Sequence, residues 1–195
     1  MKTHEILRTF VAIPVPPELT AFAARLIQRL RFADAKVTWT RPDQMHWTLS
    51  FLGDVSLLEV PEICRVVEDA ARNVPPFDVE LRGVGAFPDL TNPRTIWMGL
   101  SQGHAEMCVL HDALAAGLTK LGYRPEARRF QPHLTIGRIR SDRSGVDNLQ
   151  RLLEENAAFE GGITTVYEIN VMSSILHRDG PEYESLGHAD LGGQR

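Results

Sequence analysis

Along the chain, short runs of alternating or β-branched character take turns with amphipathic stretches of helical period. The first strand is predicted over residues 9–13, ended by Pro14 and the pair Pro16-Pro17. A helix fits 17–30, with Leu19, Phe22, Ala23, Leu26 and Leu30 on one face. Pro17 suits its first position, where a backbone N–H would have no helical partner anyway. A short strand over 36–39 and a second over 46–52 follow, the second expected to break at Gly53-Asp54. Ser56 and Glu59 have capping-box spacing ahead of the stripe Ile63, Val66, Val67 and Ala70, and Pro61 moves that helix start to about Val60. Strands are predicted over 77–84 and 95–100, on either side of the turn-rich 89–93. A long helix over 104–121 carries Met107, Leu110, Leu114, Leu118 and Leu121, and Gly122 closes it. The remainder reads as a strand over 133–139, a helix over 146–157 with Ser144 and Asp147 at capping spacing, and strands over 164–175 and 183–186 joined across Asp179-Gly180.

One pattern repeats. His46-Trp47-Thr48-Leu49 is echoed by His133-Leu134-Thr135-Ile136, each inside a predicted strand and each followed by a turn and a capped helix. A duplicated α+β half produces this signature. No composition shift marks a linker, so residues 1–195 read as a single α+β domain.

Residues i and i+2 of a strand point the same way. His46 and Thr48 therefore share one face, with Trp47 and Leu49 behind them, and His133 and Thr135 do the same before Leu134 and Ile136. If the halves pack symmetrically, two imidazoles and two hydroxyls converge on one groove. Imidazole titrates near neutrality, so one ring can serve as base while the other serves as acid. Cleavage of a phosphodiester needs that division: water loses a proton on one side of phosphorus, and the leaving oxygen gains one on the other. Threonine hydroxyls can donate to the non-bridging oxygens, and Arg128 and Arg138 would add charge-assisted hydrogen bonds. No metal is required for such chemistry. A single His-x-Thr in a strand is common and means little; two copies in equivalent settings carry the reading.

Composition sets the limits. The 195 residues are 43% hydrophobic and 24% charged, the balance of an ordinary folded domain. With 21 basic against 25 acidic side chains the net charge is −4, which removes a broad cationic footprint for duplex nucleic acid but leaves room for a local anion site. Cys64 and Cys108 have no CxxC spacing and read as small buried thiols on helices. No apolar run reaches the ~18–20 residues needed to span a bilayer, and the first residues are polar, so a cytoplasmic protein is expected; separately, a monomer is expected.

The twin motifs resemble the paired His-x-Thr-x signature of the 2H phosphoesterase superfamily, and within it the bacterial RNA 2′,3′-cyclic phosphodiesterases, also called 2′-5′ RNA ligases. The resemblance runs nearly end to end. Residues 8–13 look like that family's opening strand, and 46–53 like its first motif and following turn. Residues 95–99 sit where it has a Trp-containing strand, 128–138 match its arginine-Phe-x-Pro-His-x-Thr stretch, and Gly180-Pro181-x-Tyr183 matches its closing hairpin. This resemblance implies a bilobal α+β fold of mainly antiparallel sheet with outer helices around a water-filled cleft, and neither metal nor cofactor. It implies His46 as proton donor, His133 as proton acceptor, and Thr48 and Thr135 on the phosphate. Arg128 and Arg138 align with its basic residues. The implied substrates are RNA ends or nucleotides bearing a 2′,3′-cyclic phosphate, opened to a 2′-phosphate, with ATP-independent 2′-5′ joining as the reverse. Two departures stand out: Trp47 is bulkier than the usual aliphatic residue, and Arg129 replaces a frequent proline.

Other features admit plainer readings. His104 and His111 are seven apart, too far for zinc-helix spacing, and His111 reads as a partly buried, hydrogen-bonded residue. His4, His177 and His188 read as solvated. Phe10 is a candidate to stack on a base, as is Trp39. The rival functions are a 2H enzyme for 2′-5′ oligoadenylate or cyclic ADP-ribose phosphate, a non-catalytic RNA-end binder, and a metallohydrolase.

Overall fold

The computed structural model describes residues 5–124, 129–140, 143–177 and 180–192. Strand β1 (Ile6–Pro14) has antiparallel partners on both sides, β3 (His46–Ser56) and β8 (Glu168–His177). Its stretch from Thr9 to Ile13 is buried throughout. With β9 (Gly180–Asp190) these strands form a four-stranded sheet in the order β3-β1-β8-β9. The second sheet has the order β2-β6-β5-β4-β7, from β2 (Val37–Trp39), β6 (Leu134–Ile139), β5 (Thr95–Gln102), β4 (Phe77–Phe87) and β7 (Glu160–Val166). All the pairings in both sheets are antiparallel.

Helices cross between the lobes. α1 (Pro17–Leu30) leaves the first sheet after β1 and packs on β7 of the second, beside α4 (Val146–Glu155). α3 (His104–Lys120) leaves the second sheet after β5 and packs against β3 of the first, beside α2 (Val60–Arg72), which lies on β8 and β9. The repeated sequence pattern is thus a structural repeat: β3-β1-β8-β9 corresponds to β6-β5-β4-β7, which gives the two His-x-Thr strands equivalent places. One continuous cluster of buried apolar side chains runs through both lobes, including Trp47, Leu49, Ile96, Leu110, Leu134, Ile136 and Leu149. Each such side chain contributes roughly 1.5–3 kcal/mol by leaving water.

Several expectations change, and β4 and β9 run beyond their expected ends to Phe87 and over Gly180–Asp190. Strand β3 does not stop at Gly53 but runs on to Ser56. Thr9 pairs with Gly53 and Phe10 with Phe51, leaving Leu52 unmatched, so the glycine at φ 76° makes a bulge rather than a break. The predicted strand over 164–175 is two strands in different sheets: Val166 pairs with Phe77 in one, Glu168 with Asp190 in the other, and Tyr167 alone makes the crossing. Continuous β-character along the segment hides that switch. The last helix starts behind Gly145 at φ 72° and ends at Glu155, two residues short of the expected end. At α2 the Ser56 N–H donates to the Glu59 carboxylate at 3.1 Å, so the expected spacing does hold the chain as it turns into the helix.

Candidate active site

Alternation along β3 and β6 sets the site. Trp47 and Leu49 are 1% and 2% exposed, whereas His46 and Thr48 between them are half-buried. Leu134 and Ile136 are fully buried and Thr135 half-buried, so the second motif follows the same division. A cleft of ≈ 560 Å³ between the sheets is lined by His46, Thr48 and Thr135, with Arg138 and Arg8 and no carboxylate, while His133, the residue before β6, is half-buried just outside that lining. Trp47 faces away into the core, as its position in the strand requires.

The two imidazoles are held alike. His46 Nδ1 lies 2.9 Å from the Gln44 carbonyl, and His133 Nδ1 lies 2.8 Å from the Gln131 carbonyl. A carbonyl oxygen only accepts, so each Nδ1 carries its proton and donates. The nitrogen that remains for proton transfer is Nε2 in both rings. Gln44 is itself anchored, its Nε2 donating to the Pro181 carbonyl at 2.7 Å, which ties the turn before His46 to β9.

Aromatic rings fix the imidazole planes. His46 meets Tyr183 edge-on, centroids 5.0 Å apart, and lies against Phe10 at 4.9 Å. His133 meets Phe87 edge-on at 5.0 Å, with Trp97 at 6.4 Å. Edge-to-face contacts of this kind favour one ring orientation. Trp97 can take its place because its partner across the ladder is Gly85: a Cβ there would stand 2.5 Å from the indole.

Burial dominates the electrostatics of His46. Its pKa is lowered to about 4, chiefly by loss of water; the Gln44 hydrogen bond opposes this, and the positive charge of Arg138 and of His133 contributes to the lowering. His46 therefore feels the charge of Arg138 and of His133. Arg138 donates from Nη1 to Thr95 Oγ1 at 3.3 Å and, among the described residues, forms no salt bridge. The Tyr183 hydroxyl is pushed up by burial, against the opposing influence of Arg138 and Arg8.

The cleft thus gathers His46, Thr48, Thr135 and Arg138, all singled out in the sequence, while Arg128 lies outside the described residues. Phe10 changes its part. It is 3% exposed, its ring covered by His46, Phe51 and Tyr183, so it buttresses the imidazole and leaves no open face for a base. Trp39 does line the cleft, half-buried, with the Arg31 guanidinium 5.8 Å above its ring. His111 donates from Nδ1 to the Leu49 carbonyl at 2.7 Å and stacks on Phe130 at 4.1 Å, the partly buried role expected. His177 bonds Glu182 at 3.0 Å, His188 is exposed, and His4 lies outside the described residues. Cys64 and Cys108 are free and only half-buried, less so than expected, with burial raising the pKa of each. Among the described residues no three His, Cys, Asp or Glu side chains are grouped to hold a metal ion. No helix there is long and apolar enough to cross a membrane.

No sequence signal marks Phe87, Trp97 or Tyr183 as neighbours of the two histidines. Tyr183 and Trp97 were visible in recurring motifs but without a role. Phe87 gave no signal, because the strand carrying it was expected to end at Val84.

An α+β protein with two antiparallel lobes and a His-x-Thr motif on the equivalent strand of each has the architecture of the 2H phosphoesterases. More particularly, the chain belongs to the 2′-5′ RNA ligase superfamily, whose model matches residues 15–176. It is 34% identical over 180 residues to a protein of Methanothermobacter thermautotrophicus named RNA 2′,3′-cyclic phosphodiesterase, covering 92% of this chain and 96% of that one. An Aquifex aeolicus protein of the same name is 32% identical over 193 residues, covering 97% and 100%. Among solved structures, a Thermus thermophilus protein superposes with a TM-score of 0.80 at 25% identity, covering 97% and 100%. Escherichia coli LigT complexed with 3′-AMP gives 0.73 at 22%, covering 96% and 99%, a likeness of fold.

Proposed function

We propose that this protein is an RNA 2′,3′-cyclic phosphodiesterase that opens a terminal cyclic phosphate to a 2′-phosphate by paired acid–base catalysis. His133 Nε2 takes a proton from water as its oxygen attacks phosphorus. The P–O3′ bond breaks, and His46 Nε2–H gives its proton to the departing O3′. The products are a 2′-phosphomonoester and a free 3′-hydroxyl, and exchange with solvent returns the proton from His133 to His46. Thr48 and Thr135 donate to the non-bridging oxygens, and Arg138 balances their charge.

The carrying observation is the matched pair of imidazoles. They come from opposite lobes, each has its Nδ1 engaged by a carbonyl so that Nε2 is the nitrogen left to it, and the charge of His133 acts on His46. In-line displacement at phosphorus needs base and acid on opposite sides, and the equivalent positions of the two motifs on two lobes support that reading. The curated relatives' shared name supports the same substrate.

In the protein alone His46 is neutral at pH 7, since burial and its cationic neighbours hold its pKa at about 4. An acid must be protonated, and the phosphate is what changes the balance. Its negative charge offsets Arg138 and stabilises the imidazolium directly. Substrate binding and proton uptake at His46 are therefore linked.

The reaction is tested by giving the protein an oligoribonucleotide ending in a 2′,3′-cyclic phosphate and separating 2′- from 3′-phosphate products. A 2′-phosphate alone is the expected product; a 3′-phosphate would mean that the other P–O bond breaks and would reverse the placement of the ribose.

A further inference from the structure

We propose that Arg8 and Phe51 form a second subsite, which holds the nucleotide preceding the cyclic phosphate in an RNA chain. This rests on the phosphodiesterase reading, because that reading fixes which way the substrate lies. If His46 protonates O3′, the terminal ribose sits on the His46 side of the cleft. The chain that continues from its 5′ carbon then runs over the four-stranded sheet, the one that carries His46.

That sheet has an open path beyond the imidazole. Thr48 pairs with Ala12 on β1, and Arg8 lies four residues further along the same strand, roughly 13 Å at about 3.3 Å per residue. Directly paired residues of antiparallel strands share a face. Arg8, Ser174 and Tyr183 form one such row across β1, β8 and β9, and Phe51, Phe10 and Met172 form the next row towards His46. Arg8, Phe51, Ser174 and Tyr183 all line the cleft.

Arg8 is exposed and, among the described residues, has no salt bridge. Asp54 is its register partner on β3 but does not line the cleft and is not within ion-pair distance. In a protein of net charge −4, a guanidinium left open beside a cleft without carboxylates suits an anion. Beside it, Phe51 is 55% exposed, whereas Phe10, 6.0 Å away between ring centroids, is covered. A free aromatic face next to an unpaired cation is what single-stranded nucleic acid uses: a base stacks on the ring while the backbone phosphate meets the charge. Neither contact reads sequence, so the subsite selects for chain length and not for a particular base.

The test compares Arg8→Gln and Phe51→Leu, which keeps an apolar cover over Phe10 but removes the stacking ring, with the parent protein on two substrates, a nucleoside 2′,3′-cyclic monophosphate and a trinucleotide ending in the same group. The parent is expected to favour the trinucleotide in kcat/KM by roughly 5- to 100-fold, the range one stacked base supplies. Each variant should lose most of that preference through KM, while its turnover of the mononucleotide stays within about twofold. Arg8→Gln should also lower the salt dependence for the trinucleotide by about one counterion. Equal losses on both substrates would put Arg8 on the reacting phosphate and overturn the subsite. So would an unchanged preference in both variants. No turnover of either substrate by the parent protein would overturn the phosphodiesterase reading, and the subsite with it.

Discussion

His46 and His133 are held by the same device: each Nδ1 donates to the carbonyl two residues earlier, at 2.9 and 2.8 Å. Backbone carbonyls cannot give a proton back, so both neutral rings carry hydrogen on Nδ1 and keep the basic lone pair on Nε2. Long-range ¹H–¹⁵N correlation spectra at pH 8 should show the Nδ1–H tautomer for both residues. An Nε2–H tautomer on either ring would mean that Nε2 is not the basic nitrogen left free by the carbonyl contact.

The depressed pKa of His46 has a stability consequence whose sign is fixed. In the unfolded chain this histidine takes up a proton near pH 6.5, and in the folded protein only near pH 4. Between those values the unfolded state binds more protons, so acid favours unfolding and stability rises with pH. The contribution present above pH 6.5 should be lost progressively down to pH 4, by up to roughly 3 kcal/mol. Denaturant titrations of the parent protein and His46→Gln at pH 7.5 and 4.5 check it, since the glutamine variant should lack this share of the acid loss. A nucleoside 2′-phosphate should raise the His46 pKa in the folded protein by NMR; no movement would leave the acid without a proton.

Trp97 reaches the His133 side of the cleft by crossing Gly85, where a Cβ would stand 2.5 Å from the indole. Gly85→Ala should push the indole aside and loosen the packing beside the His133 ring, which Phe87 and Trp97 flank. The expected result is a fall in kcat of about tenfold or more, as small misplacements of catalytic groups produce, with KM little changed. A kcat equal to the parent's would show that Trp97 does not position His133.

A chelator should leave turnover unchanged. The proposed proton transfers use imidazoles alone, and among the described residues no ligand cluster is available to a metal. Loss of activity on EDTA treatment, restored by a divalent ion, would contradict the mechanism.

The alternating pattern made the open faces of the motifs legible in advance, His46 and Thr48 on β3 and Thr135 on β6, because a strand with one buried face displays every second residue on the other. Trp47 facing the core follows from the same rule. What the pattern could not give was strand order. The segment holding Val166 and Glu168 has uniform β-character, yet Tyr167 carries the chain from one sheet to the other. Glycine was equally ambiguous: Gly53 reads as a stop in one dimension and is a bulge in three. Phe10 shows the limit for site residues, since an aromatic in a strand has the same sequence signal whether its ring is open to a base or covered by an imidazole. Arg8 and Phe51 gain a role only when the ladder places them beside Tyr183 and Phe10.

The central claim is that His46 and His133 divide acid and base between them, and the most direct measurement separates the two. His46→Ala and His133→Ala are assayed with an ordinary 2′,3′-cyclic phosphate and with one whose 3′ bridging oxygen is replaced by sulfur, a leaving atom that needs no proton. Both variants should remain folded and lose about 10²–10⁴ in turnover on the ordinary substrate. The sulfur substrate should restore His46→Ala substantially and leave His133→Ala inactive. Restoration of His133→Ala instead would exchange the two roles, and parent-like turnover by either variant on the ordinary substrate would remove that histidine from the mechanism.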